Sequence, residues 1–298
     1  VSASPASPEA YSGLDASAAD RLLDRLEKEV PQRPPLAEIA SPGAGSAIVF
    51  GDSHGDWRST AEVVARFEAA GPGAVLVGLG DYVDRSPAEL PHGSVVNALL
   101  LLDAASRWPD RVYLLQGNHE TARRLGVRPR DLPREVAALW GEDATRLRRL
   151  VSLLERGPLA AYTGSGAYFA HAGFPRGPLP APWTAAFERV DDDRLSEIVW
   201  AECAASSIRR GVVDPFTEPE LASFLAASGL SVFLRGHDPD LAGQRVFGDR
   251  CLTLHTTRVF ERYGGILVAD VPLSGRIADL GGVRVDRLSV DRPPTAPR

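Results

Sequence analysis

Three apolar runs in this chain end in loops loaded with acidic, amide and imidazole side chains, and that recurrence constrains the fold more than any other feature. Ala47-Ile48-Val49-Phe50 runs into Gly51-Asp52-Ser53-His54-Gly55-Asp56, and Ala74-Val75-Leu76-Val77-Gly78-Leu79 into Gly80-Asp81-Tyr82-Val83-Asp84-Arg85. Val112-Tyr113-Leu114-Leu115 feeds Gly117-Asn118-His119-Glu120. Short runs rich in β-branched residues and leucine read as buried strands, and strands that finish in polar loops build a site at the carboxyl edge of an open α/β sheet. Between them the periodicity turns helical. Val63, Val64 and Phe67 share one face of a segment from Ser59 to Ala70, and Val96, Leu99 and Leu100 share one face of Val95 to Arg107. This βαβαβ series prescribes parallel strands with covering helices.

The flanks are less regular. Residues 1 to about 14 read as a disordered, Ser- and Pro-rich lead-in. Ala16 to Val30 reads as a helix built on Leu22, Leu23 and Leu26 and stopped by Pro31, and the stretch holding Pro34, Pro35, Pro42, Gly43 and Gly45 reads as a loop. Residues 121 to 157 are helical and arginine-rich in pattern. Further on, Ala167-Tyr168-Phe169-Ala170 leads into His171-Ala172-Gly173, and Ser231-Val232-Phe233-Leu234 into Arg235-Gly236-His237. Leu252-Thr253-Leu254-His255 and Gly265-Ile266-Leu267-Val268-Ala269 add two strands, and Asp291 to Arg298 reads as a frayed tail.

Composition narrows the partners. A formal charge of −6 argues against a nucleic-acid backbone, which needs a basic footprint. No apolar run approaches the roughly 18 residues that read as a bilayer span, and even Val95 to Leu102 is interrupted by Asn97. Cys203 and Cys251 are too few for a disulfide framework or a zinc knuckle and read as buried or free thiols. The chain contains no methionine, and the small, polar opening Val1 to Pro8 is compatible with a processed end. The expected compartment is the cytoplasm, with a processed periplasmic or secreted form as the alternative.

The loop residues suit two cations. Asp52 and His54, two apart behind a strand, can turn toward one ion, and Asp81 is the natural bridge to another, because a carboxylate can span ions roughly 3.5 to 4 Å apart. Asn118 with the imidazoles of His171 and His237 completes the second position. Such a pair would generate hydroxide from a bridging water near neutral pH and polarise a bound phosphoryl group. Arg85 offers a planar fork for phosphate oxygens. His119 is left to protonate the leaving alkoxide, with Asp84 accepting its other ring N–H and fixing the tautomer. Manganese is the first expectation for the metal, with iron and zinc as alternatives. Taken singly, each residue has an ordinary reading, since a lone strand-end histidine is more often a satisfied core residue. His92, in the loop Ala88 to Gly93, reads as a surface residue, and His255 stays open.

These motifs resemble the metal-dependent phosphoprotein phosphatases, the group of calcineurin and the type-1 and type-2A serine/threonine phosphatases, within the metallophosphoesterase superfamily. That family's pattern runs Gly-Asp-x-His-Gly, Gly-Asp-x-Val-Asp-Arg-Gly, Gly-Asn-His-Glu, His-Gly-Gly and Arg-x-His, matched here over about residues 46 to 270. The resemblance implies an α/β fold, a four-layer α/β/β/α sandwich with helical insertions, in which 46–275 is the catalytic domain, 1–45 a lead-in with one helix and 276–298 a C-terminal strand and tail. Ile198-Val199-Trp200-Ala201-Glu202 resembles the family's Trp-containing turn, and Arg210 looks like its second phosphate-binding arginine, with Arg209 as the alternative. Ser86 and Ala172 replace glycines of the pattern, and Phe260 stands where the eukaryotic members tend to place a tyrosine. Glu120 is thereby expected to support its loop rather than act in chemistry.

The implied activity is a binuclear-metal phosphomonoesterase, foremost a protein phosphatase, that works by in-line attack of a metal-bridging hydroxide without a phosphoenzyme. Its expected partner is a phosphorylated protein or a small phosphomonoester, with neither nucleic acid nor membrane involved. A dinucleoside polyphosphate hydrolase is the nearest rival, although those relatives usually end the Asn-His motif in Asp where this chain has Glu120. A nuclease is disfavoured by Pro239, which stands where such relatives carry a second histidine, and an inactive scaffold by the intact ligand candidates.

Overall fold

The computed structural model describes residues 7–40 and 45–290. The expectations for Pro42, Gly43 and the tail from Asp291 lie outside them. In chain order the elements are α1 Pro8–Ser12, α2 Ala16–Glu29, β1 Leu36–Ile39, β2 Ser46–Phe50, α3 Trp57–Ala69, β3 Val75–Gly78, α4 Gly93–Arg107 and β4 Val112–Leu114. Then follow α5 Ala122–Leu125, α6 Leu132–Trp140, α7 Ala144–Leu154, β5 Ala160–Thr163, β6 Ala167–Ala170, α8 Asp192–Trp200, α9 Glu218–Ser228, β7 Val232–Arg235, β8 Arg245–Val246, β9 Cys251–Thr253, β10 Leu267–Pro272 and β11 Arg284–Arg287.

The strands form two sheets, ordered β11-β10-β2-β3-β4 and β1-β5-β6-β7-β9-β8. In the first, β2, β3 and β4 are mutually parallel, as the βαβαβ pattern requires, and β10 returns antiparallel beside β2. In the second, β6, β7 and β9 are mutually parallel. Side-chain alternation along the strands, with period two, then sorts the core. Val49, Val77, Phe169 and Leu234 point into the gap between the sheets. Their neighbours Ile48 and Leu76 pack under the helices of one outer layer, and Tyr168 and Phe233 under the helices of the other. The four-layer α/β/β/α sandwich is the observed architecture.

Local chemistry sets the helix starts. Asp15 caps α2 by accepting from Ala18 N at 2.7 Å, and Asp56 caps α3 by accepting from Ser59 N and Oγ. Thr217 and Glu220 close a capping box on α9.

Two elements depart from expectation. Within the lead-in, Pro8 opens the short helix α1, whose Tyr11 is buried against the α3–α4 layer; one large ring gave no periodicity to read. Leu36–Ile39, read as loop, is a strand paired in parallel with β5, Ala37 and Ile39 facing inward. Four residues are too few for alternation to stand out behind two prolines. His92, expected at the surface, is half-buried and takes a left-handed backbone with φ 57° just before α4. Cys203 and Cys251 are free and buried, as expected. Among the described residues no helix is long and apolar enough to cross a membrane.

α2 is anchored to this layer through Leu23 and Leu26, both fully buried. Leu26→Ala is expected to lower stability by about 2–5 kcal/mol through lost burial and the cavity left behind, read as a fall in the urea midpoint at unchanged m-value.

Candidate metal centre

The parallel strands deliver their carboxyl ends to one rim of the sandwich. Gly51 and Asp52 follow β2, the loop from Gly80 follows β3, Gly117 to Glu120 follow β4, His171 follows β6, and Gly236 and His237 follow β7. Three glycines let these loops touch. A Cβ on Gly117 would stand 2.3 Å from Asp81 Oδ1, one on Gly236 would stand 2.0 Å from Asp52 Oδ1, and one on Gly51 would strike Leu254 O at 1.8 Å. Five polar residues here adopt left-handed backbone, namely His54 at φ 42°, Asp81 at 56°, Asp84 at 63°, Arg85 at 55° and His237 at 72°. Each such residue stores strain of order 1 kcal/mol, a common mark of functional sites.

The side chains converge around Asp81. Ligand atoms of Asp81, His54 and His119 lie within 4.8 Å of one another, and so do those of Asp81, Asp52 and His171, which makes Asp81 the shared member. His54 Nε2 is 3.8 Å from Asp52 Oδ2 and 3.7 Å from Asp81 Oδ2. On the other side His171 Nε2 stands 3.5 Å from Asp81 Oδ2, 2.9 Å from Asn118 Oδ1 and 3.2 Å from His237 Nδ1. The tautomers are set from behind, for His54 Nδ1 donates to Val83 O at 3.1 Å and His171 Nδ1 to Leu79 O at 3.0 Å. Both rings therefore aim an Nε2 lone pair inward.

The same amide end of Asn118 is 3.0 and 3.1 Å from the two Asp81 oxygens, so with its nitrogen turned in it would hydrogen-bond to all three neighbours. With its oxygen turned in, it adds another lone pair to a group of acceptors, an arrangement that only a cation among them makes favourable. Carboxylate oxygens, imidazoles and one amide oxygen are the donor set of a borderline divalent ion such as manganese, iron or zinc, and they fit two such ions sharing Asp81.

Electrostatics agree. Burial, then the charge of Asp81, pushes Asp52 well above the usual carboxylate range. Burial pushes Asp81 upward too, but the imidazoles of His171, His119 and His54 outweigh it and hold Asp81 below that range. Burial also lowers His171 and His237 and holds His54 down to about 3. His119 differs. Burial disfavours its charged form, yet Asp81 and the hydrogen-bonded Asp84 together raise it above the ordinary histidine value. Its Nδ1–H donates to Asp84 Oδ2 at 2.6 Å, and its Nε2 is buried without a hydrogen-bond partner. Asp84 Oδ1 in turn accepts from Asp131 N at 2.5 Å and Leu132 N at 2.8 Å.

Arg210, expected at a phosphate, and its alternative Arg209 are placed differently. Arg210 Nη2 donates to His237 O at 2.9 Å and Nη1 reaches Asp238 Oδ1 at 3.2 Å, whereas Arg209 is spent on the carbonyls of Ala204, Ser206 and Ile208. Of the pair, Arg210 adjoins the centre. Arg85 is half-buried, gives one N–H to Arg128 O at 3.3 Å, and its charge is felt at His54. Glu120 holds loops together. Its carboxylate accepts from Asp81 N at 2.7 Å, Tyr82 N at 2.9 Å and Gly117 N at 2.9 Å. Sequence reasoning overlooked Asn97, which donates to Ser53 Oγ and Tyr82 O and ties the first two loops together, and the buried pair Asp56–Arg258. It left His255 open, although that ring ends a strand as His171 does and lies beside Asp52.

A family model described as calcineurin-like phosphoesterase matches residues 46–241. The chain is 25% identical over 236 residues to a probable serine/threonine-protein phosphatase of Encephalitozoon cuniculi, covering 75% of this chain and 49% of that protein. It is 26% identical over 246 residues to the PP2A-like serine/threonine-protein phosphatase PPG1 of Candida albicans, covering 78% of this chain and 56% of that one. The chain thus spans about half the length of these relatives. A solved Saccharomyces cerevisiae serine/threonine phosphatase, described as similar to human PP5, superposes with a TM-score of 0.76 at 21% identity, over 94% of this chain and 92% of that one.

Removing the Glu120 carboxylate would strand three buried N–H groups. Glu120→Ala is expected to destabilise the fold by about 3 kcal/mol or more, and chemical denaturation at neutral pH checks it; Glu120→Gln, which keeps an acceptor, is expected to lose less.

Proposed function

The chain belongs to the calcineurin-like phosphoesterase family, and on that premise we propose that it is a phosphomonoesterase that depends on two divalent cations and acts on phosphoserine and phosphothreonine in proteins. The observation that carries this reading is Asp81, common to both ligand clusters, with His119 and its partner Asp84 at one side. Asp52, His54 and Asp81 are proposed to hold one cation and Asp81, Asn118, His171 and His237 the other. Bound there, the cations would supply hydroxide near neutral pH for in-line attack and neutralise charge on the phosphoryl oxygens.

The chain's own groups do the rest. His119 Nε2, facing the centre, gives its proton to the departing alkoxide as the ester P–O bond breaks and the new P–O bond forms. Asp84 fixes the ring's tautomer and, through its charge, favours the protonated form needed at the start of turnover. Arg85 and Arg210 present guanidinium forks that can grip phosphoryl oxygens and orient the ester for attack. The names of the relatives support a phosphoprotein substrate.

The following outcomes test this. Chelator-stripped protein is expected to hydrolyse p-nitrophenyl phosphate only after manganese is restored, and Asp81→Asn to lower metal stoichiometry. His119→Asn is expected to reduce kcat on a phosphoserine peptide by about 10²- to 10³-fold, and far less on p-nitrophenyl phosphate, whose leaving group needs little protonation; equal losses on both would remove the general-acid role. Asp84→Asn withdraws one of the charges that raise His119, so the basic limb of its kcat–pH profile is expected to move to lower pH. A preference for dinucleoside polyphosphates over phosphopeptides across a substrate panel would overturn the protein-phosphatase assignment.

A further inference from the structure

We propose that His255 is an additional imidazole ligand of the cation shared by Asp52, His54 and Asp81, a role that rests on the two-cation reading above. His255 follows β9 in the second sheet, and its backbone forms a parallel bridge with Asp52, which follows β2 in the first. Its ring is fully buried. Nδ1 stands 3.5 Å from Asp52 Oδ2, the same oxygen that His54 Nε2 faces at 3.8 Å. One carboxylate oxygen therefore has two imidazole nitrogens beside it, from different sheets. Phe260 presses against both rings at near right angles, with centroids 5.5 Å from His54 and 5.3 Å from His255, so the two imidazoles sit under one apolar cover.

A packing role for His255 fits poorly. A buried imidazole retained for structure donates its N–H to a carbonyl or carboxylate. Neither nitrogen of His255 has a hydrogen-bond partner. Leaving two such atoms unmet costs about 1–3 kcal/mol each, and an apolar side chain would fill the space without that penalty. The backbone does not explain the residue either, since its carbonyl simply accepts from Leu267 N at 2.8 Å, as any residue could. A ring nitrogen 3.5 Å from a carboxylate oxygen that has another imidazole beside it offers a metal ion a further lone pair. With His255 this position has two carboxylates and two imidazoles, against one carboxylate, one amide and two imidazoles on the other side. A nitrogen-rich pair of this kind favours borderline cations such as iron, zinc and cobalt over magnesium.

The test uses cobalt(II) as probe. Chelator-stripped protein is titrated with Co²⁺, followed by its visible absorption and by competition with a chromophoric chelator, for the unaltered chain and for His255→Gln. The expected result is two ions in the unaltered chain, with one affinity lowered at least tenfold in His255→Gln, the other within about twofold, and a changed absorption band. Proton NMR of the cobalt-loaded unaltered chain gives a reading independent of how the variant folds. Four imidazole N–H signals shifted by direct coordination are expected besides the less shifted signal of His119, whereas three would overturn the assignment. If the unaltered chain binds two ions and His255→Gln matches it in both affinities and in spectrum, the His255 assignment alone falls. If the unaltered chain binds no cobalt, the two-cation reading falls and takes this one with it.

Discussion

Asp52 and Asp81 are buried side by side, and like charges so placed repel strongly unless positive charge stands between them. Much of the surrounding arrangement answers that constraint. The imidazoles of His54, His119 and His171 lie within 4 Å of Asp81, and the backbone N–H groups of His119 and His237 donate to Asp81 and Asp52. Imidazoles and N–H dipoles soften the field, yet Asp52 is still pushed well above the usual carboxylate range. The consequence is a pocket whose side chains make electrostatic sense together with cations and strain against one another without them.

The fold brings this about by topology. Two sets of parallel strands, one per sheet, end at the same rim, so five separate loops can each contribute one or two side chains. Supporting contacts then remove slack. Glu120 binds the second loop to the third through three N–H groups, Asn97 binds the first to the second, and Asp56 both caps α3 and grips Arg258, steadying the turn that carries Phe260. Arg235, wholly buried, joins the carbonyls of Ala172 and Ala201 to Asp238 beneath His237. Left-handed backbone at charged residues is tolerated because contacts of this kind over-determine it.

Much of this was legible in the chain because strand ends announce themselves. Asp52, His54, Asp81, Asn118, His119, His171 and His237 each sit behind an apolar run, and the structure gathers all of them. What was not legible depended on contacts distant in sequence. Tyr11 makes a helix worthwhile only once α3 and α4 are present to receive it, and Leu36 to Ile39 become a strand only beside β5. Arg209 and Arg210 are indistinguishable as neighbours, and what separates them is which side of the turn meets Ser206 and which meets Asp238. His255 offered the same strand-end signal as the other histidines but lacked a motif around it; it lies beside Asp52, roughly two hundred positions earlier.

At the rim the main chain crosses from one sheet to the other. Thr256 N donates to Asp52 O at 2.9 Å, Gly51 N to Thr256 Oγ1 at 3.0 Å, and Thr256 Oγ1 to Leu267 O at 2.6 Å. The two halves of the sandwich are thus creased together along this edge, like a folded card. Sliding one half over the other must break these bonds, so shear between the sheets is resisted at the very edge that carries the clustered side chains.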